Sequence, residues 1–75
     1  MKDVLMYIVG SLVENPQAVK IGVNEDGSTI RYKLALDASD RGKVIGKEGR
    51  VVKSIRTVLQ AAAARQNRKV YLDID

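Results

Sequence analysis

Gly46-Lys47-Glu48-Gly49 is the stretch of this chain best equipped for chemistry. Two glycines bracket two charged residues, and Arg50 and Lys53 follow at once. Apolar helical sequence lies on both sides, Val44-Ile45 before and Val51-Val52 after. The spacing predicts a helix that stops, a four-residue turn, and a second helix. The first N–H groups of that second helix have no intrahelical partner, and its positive dipole end points into the turn. Glycine reaches positive φ without steric penalty and keeps side chains out of the way. Together these features seat a phosphate. The amides of Gly46 to Gly49 donate, Lys47 adds a mobile charge, and Arg50 and Lys53 extend the positive track. Ile45 offers an apolar shelf for a base. Arg31 and Lys33 are expected to border the far side of a groove if the sheet edge faces it. Glu48 opposes all of this with a negative charge inside the loop.

Composition removes most other chemistry. The chain has 75 residues and reads as one domain over 1–75, with no room for a second core. With no cysteine and no histidine there is no disulfide framework, Cys/His zinc site, thiol nucleophile or imidazole base. The apolar run Val4–Val9 is too short to span a bilayer, so a soluble, cytoplasmic protein without membrane insertion is expected. The net charge of +4 is unevenly distributed. Residues 1–40 hold four basic and six acidic side chains, and residues 41–75 hold nine basic and three acidic. The glycine turn sits in the positive half, as a nucleic-acid site requires. No metal or cofactor is implied.

The elements that must position the turn follow from periodicity. Asp3 to about Glu14 reads as a helix with Val4, Leu5, Ile8 and Leu12 on one face, and Met6, Val9 and Val13 as surplus apolar surface. Asn15-Pro16 ends it. Val19–Val23 and Thr29–Leu36 alternate with period two and form a hairpin about Glu25-Asp26-Gly27-Ser28. Ser39-Asp40 is read as the cap of a short helix over Arg41–Ile45. A long helix runs from Arg50 to about Gln66, with Val51, Val52, Ile55, Val58, Leu59, Ala62 and Ala63 on its apolar side. A last strand covers Lys69–Asp75. The order is α-β-β-α-α-β, an α+β layer of helices on a three-stranded sheet.

In that setting Val44-Ile45-Gly46-Lys47-Glu48-Gly49 resembles the GXXG signature of a KH domain, whose loop clamps single-stranded nucleic acid. Gly42-Lys43-Val44-Ile45 and the basic helix from Arg50 to Arg56 fit the same pattern. The whole chain is similar in size and element order to the small bacterial single-KH RNA-binding proteins of the KhpA type. The resemblance implies a type II KH domain, three helices on one face of the sheet, and a non-catalytic protein. It implies single-stranded RNA held over about four nucleotides, with Lys43 joining Ile45–Arg50 and Lys53 at the site. It also implies a homodimer, a heterodimer with a larger KH-containing protein, and a post-transcriptional or RNA-chaperone role linked to cell elongation, division and shape.

Three other readings compete. Gly42–Glu48 has a superficial likeness to a P-loop, but the spacing is wrong, no Ser/Thr follows the lysine, and a helix rather than a strand precedes it. A helix-turn-helix DNA reader would have a full-length first helix and a protein-filling turn, whereas here the first helix is barely over one turn and glycines occupy the turn. A protein-interaction module with little RNA affinity would use the surplus apolar surface, with Val58, Ala61 and Ala62 as the self-association face.

Overall fold

The computed structural model describes residues 1–75. Its elements are α1 (Lys2–Leu12), β1 (Lys20–Asp26), β2 (Thr29–Ala35), α2 (Ala38–Ile45), α3 (Arg50–Ala64) and β3 (Lys69–Ile74). Single 3₁₀ turns at Pro16–Ala18 and Lys47–Gly49 join α1 to β1 and α2 to α3. The expected order α-β-β-α-α-β is the one observed. β2 is the central strand, antiparallel to β1 and parallel to β3.

The period-two pattern of β2 fixes which face is covered. Ile30, Tyr32 and Leu34 are buried, together with Val70 and Leu72 of β3. They meet Leu5 and Val9 of α1, Val44 of α2, and Val52, Ile55, Leu59 and Ala63 of α3 in one core. The alternate residues Arg31, Lys33, Tyr71 and Asp73 lie exposed on the opposite, open face. All three helices therefore pack on one side of the sheet. No helix is long and apolar enough to cross a membrane.

Four local expectations are corrected. On α1 the buried stripe is Leu5 and Val9, whereas Val4 and Leu12 are substantially exposed. On α3 the side chain of Val58 is 47 % exposed, outside the stripe that reaches the sheet. β1 runs on through Glu25 and Asp26, which leaves only Gly27-Ser28 as the hairpin connection. Gly27 holds φ +60° at the first central position, where a tight hairpin turn requires glycine.

The fourth concerns Asp40. It does not cap α2: it lies inside that helix, fully buried, and accepts from the backbone N–H groups of Glu14 (3.1 Å) and Asn15 (3.0 Å). It also accepts from the Asn15 carboxamide at 3.3 Å and faces Lys43 at 3.8 Å. This carboxylate thus satisfies the chain where α1 ends, and locks that end onto α2.

The end of α3 has its own device. Asn67 adopts φ +55°, while the amides of Asn67 and Arg68 return to the carbonyls of Ala64 and Ala63. This is a Schellman closure with asparagine where glycine is more usual. It delivers Arg68 to Glu25 at 2.7 Å and ties the helix end to the hairpin.

Candidate nucleic-acid interface

The α2–α3 junction owes its shape to three residues with positive φ. Gly46 sits at φ +76°, ψ 174°, a region essentially reserved for glycine. Glu48 (φ 57°, ψ 25°) and Gly49 (φ 76°, ψ 13°) are both left-handed. A glutamate there carries a steric penalty of roughly 1–2 kcal/mol. The bonds that define the turn use the amides of Gly46, Gly49 and Arg50, which reach Gly42, Gly46 and Lys47. The Lys47 and Glu48 amides take no part in them. Both of those residues are exposed at the tip of the turn.

The cations around the turn differ in how free they are. Lys47 and Lys53 are exposed and form no ion pair. Arg50 is 77 % exposed and only loosely paired with Glu48 at 3.7 Å. Lys43 is committed elsewhere, to Glu14 at 2.8 Å and Asp40. The hydrogen bond to Glu14, followed by the attraction of Glu14 and Asp40, raises its pKa against the opposing effect of burial. Ile45, 37 % exposed, closes α2 beside the turn.

Arg31 and Lys33 are not brought to this place. They project from the central strand onto the open face, opposite the helices and the turn, because their neighbours Ile30, Tyr32 and Leu34 take the core side. Arg31 stacks on the Tyr71 ring, with its guanidinium carbon 4.7 Å from the centroid. Lys33 lies 3.9 Å from Asp75. The groove-bordering role expected for them required a sheet edge, and β2 is not one.

Arg56, expected only as the last residue of the basic stretch that opens α3, has a specific position. Its Nε and Nη2 both donate to the Leu72 carbonyl, at 3.2 and 2.9 Å. Lys53, Arg56 and Gln60 recur at helical spacing on α3, and Arg56 and Gln60 face the free edge of β3. A shallow groove of about 380 Å³ continues this line between Gln60, Ala64, Arg68, Lys69, Val70 and Tyr71. A polar residue at i, i+3 and i+7 was visible in the sequence; that the stripe faces an unpaired strand edge was not.

A family described as KhpA/KhpB, KH domain, matches residues 2–74. The chain is 49 % identical over 74 residues to the RNA-binding protein KhpA of Chlamydia caviae, covering 99 % of this chain and 95 % of that one. It is 45 % identical to the protein of that name from Oceanobacillus iheyensis, covering 99 % of each. Against the Halalkalibacterium halodurans KhpA the identity is 42 %, over 99 % of this chain and 97 % of the other.

Proposed function

Since the chain belongs to the KhpA/KhpB KH-domain family, we propose that it is a non-catalytic protein whose GXXG turn clamps the backbone of single-stranded RNA. The observation that carries this reading is the turn itself. Three positive-φ residues shape a backbone loop bracketed by two glycines, with the unpaired cations Lys47 in it and Lys53 on the helix that follows. Gly46 and Gly49 spend their amides on the turn and shape the seat, the Lys47 and Glu48 amides hold a phosphate in it, and Arg50 and Lys53 hold the next ones. Ile45 supports a base, and Lys43 sets the end of α2 more than it touches RNA. Arg31 and Lys33 stand outside this contact set. The groove between α3 and β3 is the path for the strand. With no aromatic residue in the turn, affinity rests on phosphates and falls steeply with salt.

Lys47→Asp tests the reading by fluorescence anisotropy of labelled single-stranded RNA across a salt titration. The variant should lose on the order of tenfold in affinity at low salt and show a shallower salt slope. Circular dichroism should be unchanged, because the residue is exposed. Equal binding by the two proteins would leave the turn with a structural role only.

A weakly binding single domain gains from a second site, which supports a homodimer and a heterodimer with a larger KH-containing protein. The cellular reading is a cytoplasmic post-transcriptional or RNA-chaperone role linked to elongation and division. A second function, protein interaction by the outer helix face, is favoured by the exposure of Val58 beside Ala61 and Ala62. Together with Met1 and Val4, the two alanines line a shallow apolar depression. Val58→Asp should keep the fold and shift the solution mass toward monomer in light scattering; an unchanged mass would remove this face from self-association.

A further inference from the structure

The sheet has two free edges, and a side chain bonds the backbone of only one. On β3 the amides of Lys69 and Asp75 reach back to Ser28 and Leu34 on the β2 side. By alternation the backbone groups of Val70, Leu72 and Ile74 point outward, and Arg56 covers the Leu72 carbonyl. β1 has no such cover. It pairs with β2 without interruption from Lys20↔Ala35 to Asp26↔Thr29, contains no proline or bulge, and receives no side-chain hydrogen bond on its backbone.

The phase of that open edge follows from the turn. A two-residue connection makes Asp26 and Thr29 a hydrogen-bonded pair, so Asp26, Asn24, Gly22 and Lys20 direct their backbone groups at β2. Ile21, Val23 and Glu25 present theirs to solvent. We propose that this edge pairs with the same edge of a second copy, antiparallel and centred on Val23.

The centre is fixed by charge. With Val23 opposite Val23 of the second copy, Ile21 meets Glu25 and each such pair exchanges its backbone bonds. Lys20 then faces Asp26 of the second copy, once at each end. Both residues are exposed, and neither has an ion-pair partner within its own chain. Registers centred on Gly22 or Asn24 leave both charges without a counterpart. The contact also covers Val23, an apolar side chain 45 % exposed at the sheet margin. The strand is therefore self-complementary in backbone phase, in charge and at its apolar centre, as a two-fold interface requires. It is distinct from the outer face of α3, and use of both would carry association past two copies.

The chain has no cysteine, so Val23→Cys introduces the only thiol. The proposed pairing sets the two Val23 Cα atoms about 5.5 Å apart, within disulfide reach. Two copies of Asp26→Cys would stand about 20 Å apart. Under mild oxidation Val23→Cys should give a cross-linked dimer on a non-reducing gel, while Asp26→Cys should stay monomeric. Adding Lys20→Asp to Val23→Cys should slow cross-linking about fivefold, and adding Asp26→Lys to that pair should restore it. Adding Val58→Asp should leave the rate unchanged. The proposal is overturned if the two cysteine variants react alike, if the charge swap does not restore the cross-link, or if Val58→Asp abolishes it.

Discussion

Gly46→Ala is expected to destabilise the protein by about 3 kcal/mol or more, whereas Gly49→Ala should cost about 1 kcal/mol. The two glycines of the signature look equivalent in sequence and have the same φ of +76°. Their surroundings separate them. A Cβ on Gly46 would run into the Val51 side chain, with Val51 Cβ at 2.8 Å and its backbone nitrogen at 2.9 Å. A Cβ on Gly49 would meet nothing closer than a Val52 methyl at 4.0 Å. Gly46 also lies in the region that side chains essentially never enter, while Gly49 is in the ordinary left-handed well. About 3 kcal/mol is a large share of the 5 or so that a small domain has to lose. Urea titration followed by circular dichroism reads both changes. Val51→Ala in the Gly46→Ala background should recover only part of the loss, because it removes the Val51 Cγ2 contact and leaves the Cβ and backbone nitrogen in place. Equal losses from the two single variants would show that φ alone governs the turn.

The functional reading depends on that asymmetry. Gly46 holds the angle between α2 and α3, so its replacement should disturb every amide and cation of the turn together. Gly49 admits a methyl group into open space, so RNA affinity should follow the small change in stability.

Much of this was legible from periodicity, and the failures have specific causes. The strict alternation of Ile30, Tyr32 and Leu34 identified the central strand and its buried face, because period two has no other use there. The glycine turn was legible because its two glycines fall where one apolar helical pattern stops and another begins. β1 was read three residues short: it is an edge strand, largely uncovered, so Glu25 and Asp26 sit in it at no cost and its alternation carries little burial. Val58 matched the helical period but not the width of the stripe that α3 buries, which depends on what stands opposite. Arg56 looked like any surface arginine until β3 ended the sheet beside it. Asp40 was misread for the plainest reason. Its partners are 25 and 26 residues away in sequence, and a carboxylate before a short helix has a local explanation ready to hand.

Asp40 is where acid unfolding should begin. The hydrogen bond from the Glu14 amide holds its pKa below the ordinary aspartate value, with further help from Asn15 and Lys43 and against the opposing effect of burial. In the unfolded chain the same group titrates near about 3.9. Between the two values the unfolded state binds the proton and the native state does not, so stability rises with pH. The stabilising contribution is complete above about pH 5 and is lost as pH falls through the unfolded and then the native pKa. Asp40→Asn keeps the shape but turns an –NH₂ group toward one of two backbone donors that a carboxylate would accept. It should lower Tm at pH 7 by about 10 °C and flatten the dependence of Tm on pH between about 5 and 2.5. Asn15→Ala, which retains the backbone donor and removes only the carboxamide, should do less of both. None of these side chains belongs to the 46–49 turn, so the folded Asp40→Asn protein should bind RNA as the unaltered chain does when assayed well below its Tm. A variant whose Tm still falls with acid as steeply as the parent's would move the acid-sensitive group elsewhere, and the α1–α2 lock would then be a matter of packing rather than charge.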